Sequence, residues 1–108
     1  MKSKEAIAAL LALGQKTRLD AYRLLIEQGS EGLPVTEISI RLGVNISTIS
    51  RHLGHLERTR MLHSWRIERQ IIYAVEDNGI QNLIDFLTEN CCRANPVTCK
   101  WVDHSSEN

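Results

Sequence analysis

The sequence predicts a mainly α-helical fold with a single β-hairpin. Apolar residues recur at helical spacing in five separate segments, and two adjoining segments rich in β-branched and aromatic residues lie between the fourth and the fifth. The length of 108 residues allows one domain with one hydrophobic core. An apolar fraction of 43% and a charged fraction of 24% are ordinary for a folded globular protein, which argues against a disordered chain.

The first two helices are predicted at residues 4–13 and 16–28, separated by Gly14 and ended by Gly29. Their apolar residues at helical spacing are Ile7, Leu10, Leu11 and Leu13 in the first helix and Leu19, Tyr22, Leu25 and Ile26 in the second. The apolar run at 6–13 is too short to span a bilayer. It resembles a secretory leader only superficially, because Glu5 interrupts the basic start. We therefore expect a cytoplasmic protein without a membrane partner.

The next two helices form a helix-turn-helix. A loop at 29–33 leads to Pro34, a short helix at 36–42 follows, and residues 43–45 make a tight turn before a longer helix at 46–58. Asn45 is suited to cap the longer helix by accepting hydrogen bonds from its first turn. On the short helix, Ile38 and Leu42 are expected to face inward.

The longer helix has one apolar and one polar face. Ile49, Leu53 and Leu56 stack on one side, and Ser47, Arg51, Gly54 and Arg58 lie opposite, with Thr48 and His55 beside them. Such a polar face is free to enter the major groove of DNA. The predicted DNA contacts of the helix and the hairpin that follows are Ser47, Thr48, Ser50, Arg51, His52, His55, Arg58, Arg66 and Arg69.

The hairpin is predicted from strands at 62–67 and 70–75 with a tip at Glu68-Arg69. It is a wing that carries Arg66 and Arg69 to backbone phosphates, and Trp65 and Tyr73 are expected to pack across it. A last helix at 78–90 is expected to bury Ile80, Leu83, Ile84 and Leu87. The whole predicts a winged helix-turn-helix domain over residues 1–103, with a flexible tail at 104–108.

The charge distribution supports a DNA-binding middle. The formal net charge is zero, but six arginines face only Glu57 and Glu68 between residues 38 and 75. From residue 76 onward the acidic residues outnumber the basic ones. A basic middle of this kind suits contact with phosphates.

At this point the chain resembles the ArsR/SmtB family of metal-responsive repressors over nearly its whole length. The stretch at 42–53 is similar to the family's recognition helix, and the stretch at 66–73 is similar to its wing. The resemblance implies a homodimer joined through the first and last helices. The apolar content of those helices points the same way, and a symmetric dimer requires an inverted-repeat operator.

The sequence departs from two effector sites of the family. Where many arsenic sensors have Cys-Val-Cys, this chain has Pro34-Val35-Thr36, and the segment 78–90 lacks the histidines of zinc sensors. At the wing tip, Arg69 replaces a common glycine. Cys91, Cys92 and Cys99 remain, and they look like the arsenic-responsive subgroup with three cysteines at the end of the last helix.

Trivalent arsenic or antimony is the expected effector, because these soft ions bind three thiolates. Adjacent cysteines cannot converge inside a regular helix, so the site needs a frayed helix end, and Pro96 favours a bend that returns Cys99. Three alternatives stay open. They are a zinc site completed by Asp103 or His104, a disulfide between Cys99 and either Cys91 or Cys92, and burial of the thiols without a function.

An enzyme is the alternative of a different class, for example an arsenate reductase or another thiol enzyme. The sequence has no Cys-x-x-Cys beside a strand–helix unit and no glycine-rich phosphate loop. A metal buffer would leave the basic middle without a role. We therefore predict a DNA-binding repressor that releases its operator when the cysteines bind arsenic or antimony.

Overall fold

The computed structural model describes residues 1–89, and the structural statements below concern these residues. The helices and strands follow in this order: α1 (Ser3–Leu13), α2 (Lys16–Gln28), a 3-10 turn (Gly29–Glu31), β1 (Leu33–Pro34), α3 (Val35–Leu42), α4 (Ile46–Arg58), β2 (Leu62–Ile67), β3 (Gln70–Val75) and α5 (Gly79–Thr88). The predicted mainly α fold with a β-hairpin is confirmed.

The boundaries of α4 and of both hairpin strands agree with the predicted ones. Helices α1 and α3 begin one residue earlier than predicted, and α5 begins one residue later, with Asn78 as its N-cap. Helix α3 ends at Leu42 and is capped by Gly43, whose φ of 64° lies in the left-handed region that glycine adopts without steric cost. This residue turns the chain sharply enough for α3 to pack against α4.

The sheet contains a strand that the sequence did not predict. Strand β1 pairs antiparallel with β3, so that the strand order is β1-β3-β2. Pro34 is tolerated because β1 is an edge strand. Gly32 is required just before it, since a Cβ atom there would lie 2.4 Å from the Tyr73 carbonyl oxygen. Strand β1 has only two residues and therefore shows no periodic pattern. Its pairing with β3 depends on residues far away in the sequence.

The prediction that Trp65 and Tyr73 pack across the hairpin is wrong. Tyr73 pairs with Ser64, and Trp65 pairs with Ile72. Because successive strand residues point to opposite faces, the two rings lie on opposite sides of the hairpin. Tyr73 is buried in the core, whereas the Trp65 ring stacks on His63 with a centroid distance of 5.4 Å.

The core lies between the helices and the sheet. Its largest fully buried side chains are Leu25, Ile38, Ile49, Leu53, Leu56, Met61 and Leu62. Helix α1 contributes Ala6, Ala9 and Ala12 to this core and none of its larger aliphatic residues is fully buried. Leu42, expected to face inward, is half-buried against the core.

Several aliphatic side chains are exposed. On α1 these are Ile7, Leu10 and Leu11. On α5, Ile84 and Leu87 are exposed although they were expected to be buried, whereas Leu83 is buried as predicted. Leu19 and Ile26 of α2 are exposed as well. Since α1 packs against α5, we call the outward aliphatic residues of these two helices the α1/α5 apolar face. Among residues 1–89, no helix is long and apolar enough to cross a membrane.

Candidate nucleic-acid interface

The start of α4 is fixed by its cap. Asn45 Oδ1 accepts a hydrogen bond from the Ser47 backbone N–H at 2.9 Å and another from Ser47 Oγ at 2.6 Å. The Ser39 hydroxyl donates to the Val44 carbonyl oxygen and closes the turn from α3. The predicted role of Asn45 is confirmed, and the cap also orients Ser47, one of the predicted DNA contacts.

The two faces of α4 differ as the spacing of its residues predicts. Ile49, Leu53 and Leu56 are completely buried and anchor the helix on the core. The predicted contact residues on the opposite side are exposed at Ser47, Ser50, Arg51 and Arg58, and half-buried at Thr48 and His55. This arrangement presents hydroxyl and guanidinium groups along one surface, which can donate to base edges and phosphates.

His52 lies apart from this surface. Its Nδ1 is 3.1 Å from Arg18 Nη1 of α2, and Arg18 Nε donates to the Ala12 carbonyl oxygen at 2.6 Å. The guanidinium has only N–H donors, so Nδ1 is the acceptor and the imidazole proton is on Nε2. Arg18 therefore connects the end of α1 to the recognition helix, and His52 supports that helix through its contact with α2.

Burial and nearby cations favour the neutral form of both helix histidines. Burial, followed by the nearby Arg18 cation, lowers the pKa of His52, with smaller contributions from Arg51 and His55. Burial and then Arg18 and Arg58 lower the pKa of His55. A neutral His55 imidazole can both donate and accept hydrogen bonds at a DNA surface. Arg18 was not predicted as a functional residue, because its partner lies 34 positions away in the sequence.

The wing is held against the recognition helix. Ser64 Oγ of β2 donates to Glu57 Oε2 of α4 at 2.7 Å. Tyr73 is close to the same carboxylate: burial raises the pKa of its hydroxyl, and the charge of Glu57 adds to the effect. Glu57 thus fixes the position of the hairpin relative to α4.

The wing tip is a two-residue turn closed by the Ile67–Gln70 pair. Glu68 has a φ of 55°, so the left-handed residue of the turn is the glutamate and not Arg69. Arg66 and Arg69 are both exposed. Among residues 1–89, neither of these arginines nor Arg51 or Arg58 forms an ion pair, so all four cations are available to an anionic partner.

The predicted effector residues Cys91, Cys92 and Cys99 lie outside the described residues. Within residues 1–89 no group of three or more His, Cys, Asp or Glu side chains could hold a metal ion. The described part of the chain therefore offers the candidate nucleic-acid interface and no candidate metal centre.

Comparison with known proteins agrees with this arrangement. Residues 13–64 match a family described as "Helix-turn-helix domain". The chain is 27% identical over 93 residues to the transcriptional activator HlyU of Vibrio cholerae serotype O1, covering 86% of this chain and 83% of HlyU. The solved structure of reduced HlyU from Vibrio cholerae matches with a TM-score of 0.64 and 25% identity over 81% of this chain and 88% of that one.

Two further solved structures share the fold at lower identity. An ArsR-like transcriptional regulator from Rhodococcus sp. matches with a TM-score of 0.70 and 19% identity, covering 96% of this chain and 89% of that one. A homodimeric winged helix-turn-helix domain from Mycobacterium bovis matches with a TM-score of 0.65 and 21% identity, covering 81% of each chain. The chain thus contains a helix-turn-helix domain, has the winged helix-turn-helix fold of these proteins, and is similar to transcriptional regulators such as HlyU.

Proposed function

We propose that the chain is a homodimeric repressor that binds an inverted-repeat operator and releases it when trivalent arsenic or antimony binds Cys91, Cys92 and Cys99. The observation that carries the DNA-binding part is the polar face of α4 beside four arginines that no carboxylate neutralises within the described residues. In this proposal Arg51 and the side chains of the first turn contact base edges, and Arg66 and Arg69 contact phosphates.

The α1/α5 apolar face supports the dimer. Leu11 is 69% exposed and Leu87 is 56% exposed, although both are large aliphatic side chains. A second copy related by a twofold axis would remove the same residues from water on both partners. The homodimeric structure from Mycobacterium bovis favours this assembly. Two recognition helices about 34 Å apart would then fit one face of the DNA.

The arsenic-sensing part is supported by the chemistry of the cysteines. The three thiols are close in sequence, and soft thiolates suit As(III) and Sb(III). They follow α5, whose exposed aliphatic residues belong to the α1/α5 apolar face. An ion that pulls the thiols together would redirect the end of α5 and change the spacing of the recognition helices. A coupling free energy of about 1–3 kcal/mol between ion and operator is typical of such a switch.

Thiol oxidation is the second candidate for the effector. The solved structure of the relative HlyU is described as reduced, a word that refers to its oxidation state. Zinc is the third, with Asp103 or His104 as a fourth ligand. HlyU is described as a transcriptional activator, so the direction of regulation is also part of the proposal for this chain.

The test begins with duplexes that the purified chain selects from a random pool, followed by titration of the selected complex with arsenite. Wild type should release the duplex. Each single Cys→Ser variant should bind DNA normally and need much more arsenite for release. Thr36→Ala, at the position where related sensors carry a cysteine, is the matched control and should respond like wild type.

Parallel titrations with Zn²⁺ and with hydrogen peroxide separate the three effectors. Release by peroxide alone, reversed by a thiol reductant, would replace arsenic with oxidation. Release by zinc alone would replace it with a tetrahedral site. If the triple serine variant lost its operator at the wild-type arsenite concentration, the sensor assignment would be wrong, whereas DNA binding would stand.

A further inference from the structure

An apolar notch lies inside the otherwise polar DNA-reading surface. It has a volume of about 200 Å³ and separates the first turn of α4 from the wing. Its aliphatic lining comes from Ile46 of α4, Ile71 of β3 and Val35 of α3. Its polar lining includes Ser50 and Arg69, both of them predicted DNA contacts. The notch is therefore part of the surface that would meet a duplex.

The orientation of Ile71 follows from the strand register. Ile71 pairs with Arg66, and two positions away Tyr73 pairs with Ser64. Directly opposed residues and residues two apart share one face of a hairpin. Ser64 contacts Glu57 on α4, so Ile71 and Arg66 lie on the side of the wing that faces the recognition helix. Ile71 and Ile46 then form the two walls of the notch.

Both walls are exposed in the free chain. Ile46 is 45% exposed and Ile71 is 38% exposed, and each is surrounded by polar groups suited to DNA. An aliphatic side chain gains most free energy at an interface when it leaves water against another apolar group, because no polar group then loses its hydration. The base edges of the major groove offer one such group, the C5 methyl of thymine. The methyl group lies in the major groove, the groove that a recognition helix enters. The notch, between the first turn of that helix and the wing, would then lie close to it.

We propose that Ile46 and Ile71 bind a thymine C5 methyl group and so select thymine at one position of each half-site. The inference rests on the proposed DNA binding and adds a specificity-determining contact to it. Arg69 at the rim binds the neighbouring phosphate and keeps the strand against the notch. The hydroxyl and guanidinium groups of α4 read other positions by hydrogen bonding, and the notch reads shape and apolar surface.

Replacing thymine with deoxyuridine tests the proposal, because it removes the methyl group and leaves every hydrogen-bonding group in place. Duplexes selected by the chain from a random pool are remade with each thymine replaced in turn. At one position per half-site, deoxyuridine should weaken binding about fourfold, and about fifteenfold when both half-sites carry it. Deoxyuridine at the other thymine positions should weaken binding less.

The matched variants are Ile46→Ala and Ile71→Ala, with Ile26→Ala of α2 as the control. Ile26 is the same residue type with a similar exposure of 47%, but it lies outside the notch. The two notch variants should bind thymine and deoxyuridine duplexes equally, while Ile26→Ala should keep the wild-type ratio. The ratio is measured within one protein, so a change in overall affinity or stability does not affect it.

Each outcome decides between two claims. If no duplex is enriched from the pool, DNA binding itself fails. If duplexes are enriched but no thymine is sensitive to deoxyuridine, the notch proposal is wrong and the DNA-binding proposal stands. If a sensitive thymine exists but Ile46→Ala preserves the ratio, another side chain reads the methyl group and the notch proposal is again wrong.

Discussion

Helices α1 and α4 have similar lengths, 11 and 13 residues, but they place apolar side chains of different size in the core. Helix α4 buries its large aliphatic residues, such as Leu53, and exposes Ser47 and Arg51. Helix α1 buries alanines, such as Ala9, and leaves Leu11 in contact with water. One helix thus presents a polar surface and the other presents an apolar one.

In the proposed function, this difference divides the surface of a small chain between two partners. An alanine face lets α1 approach the core closely and leaves the aliphatic residues on the other side free for a second interface. In α4 the aliphatic residues anchor the helix, so its outer face is free for hydrogen-bonding and charged groups. A contact with a second copy needs the first arrangement, and a contact with DNA needs the second.

The largest effect is expected from a charge on the α1/α5 apolar face. Leu11→Glu would place two unpaired carboxylates in a twofold interface, and burying each of them is costly. The dimer dissociation constant should rise at least about 100-fold, which corresponds to about 3 kcal/mol. Light scattering at low micromolar concentration measures the change.

The control for that substitution is Ile40→Glu, on the outer side of α3. Ile40 is 74% exposed, which is close to the exposure of Leu11. The two variants therefore introduce the same charge at similarly exposed positions, but on different helices. This variant should remain a dimer. A Leu11→Glu variant that stayed fully dimeric would show that the apolar outer face of α1 does not form the contact with a second copy.

The next effect concerns the polar face of α4. Arg51→Ala should cost about 1–3 kcal/mol on a selected duplex, as for arginines that contact bases elsewhere, and should relax specificity at one position. Arg69→Ala on the wing should weaken all sequences about equally and lower the salt slope by about one. Fluorescence anisotropy over a salt series gives both quantities. Unchanged operator affinity in Arg51→Ala would contradict the assignment of the recognition helix.

The smallest effect is a pH dependence of stability from the support of α4. The pKa values of His52 and His55 are lowered by folding, so the folded chain binds fewer protons than the unfolded chain. The contribution of these histidines to the free energy of unfolding is therefore largest above about pH 6.5 and decreases as the pH falls below it. Urea unfolding at pH 7.5 and 5.5 measures the difference.

Two variants sharpen the pH prediction. His52→Gln removes one titrating group, and Arg18→Gln removes the cation beside both imidazoles. Each should reduce the loss of stability between the two pH values, whatever its effect on stability at pH 7.5. An undiminished loss in both variants would show that carboxylates dominate this pH range.

The sequence predicted α4 and the hairpin well because their signals are local. Asn45 and Gly43 mark one end of the recognition helix, and the period of its aliphatic residues gives the buried face. The two hairpin strands are separated by a two-residue tip. These features need no knowledge of distant residues.

The failures all depend on tertiary contacts. Helical spacing marked Leu11 but did not reveal that α1 packs on the core through alanines such as Ala9. Leu87 was expected inside from its helical spacing. The contact of His52 with Arg18 depends on how α2 packs against α4, which spacing within either helix does not reveal. The exposed residues of the candidate DNA surface could be selected from helical spacing, whereas its apolar notch requires the strand register.

Two copies paired through the α1/α5 apolar face should present two recognition helices to one side of a duplex. Changing the distance between the half-sites of a selected inverted repeat tests this pairing. An insertion of five base pairs turns one half-site by about half a helical turn, so binding should fall to the level of a single half-site. Binding of the lengthened duplex at the original affinity would contradict this pairing, because the two helices would then read DNA independently.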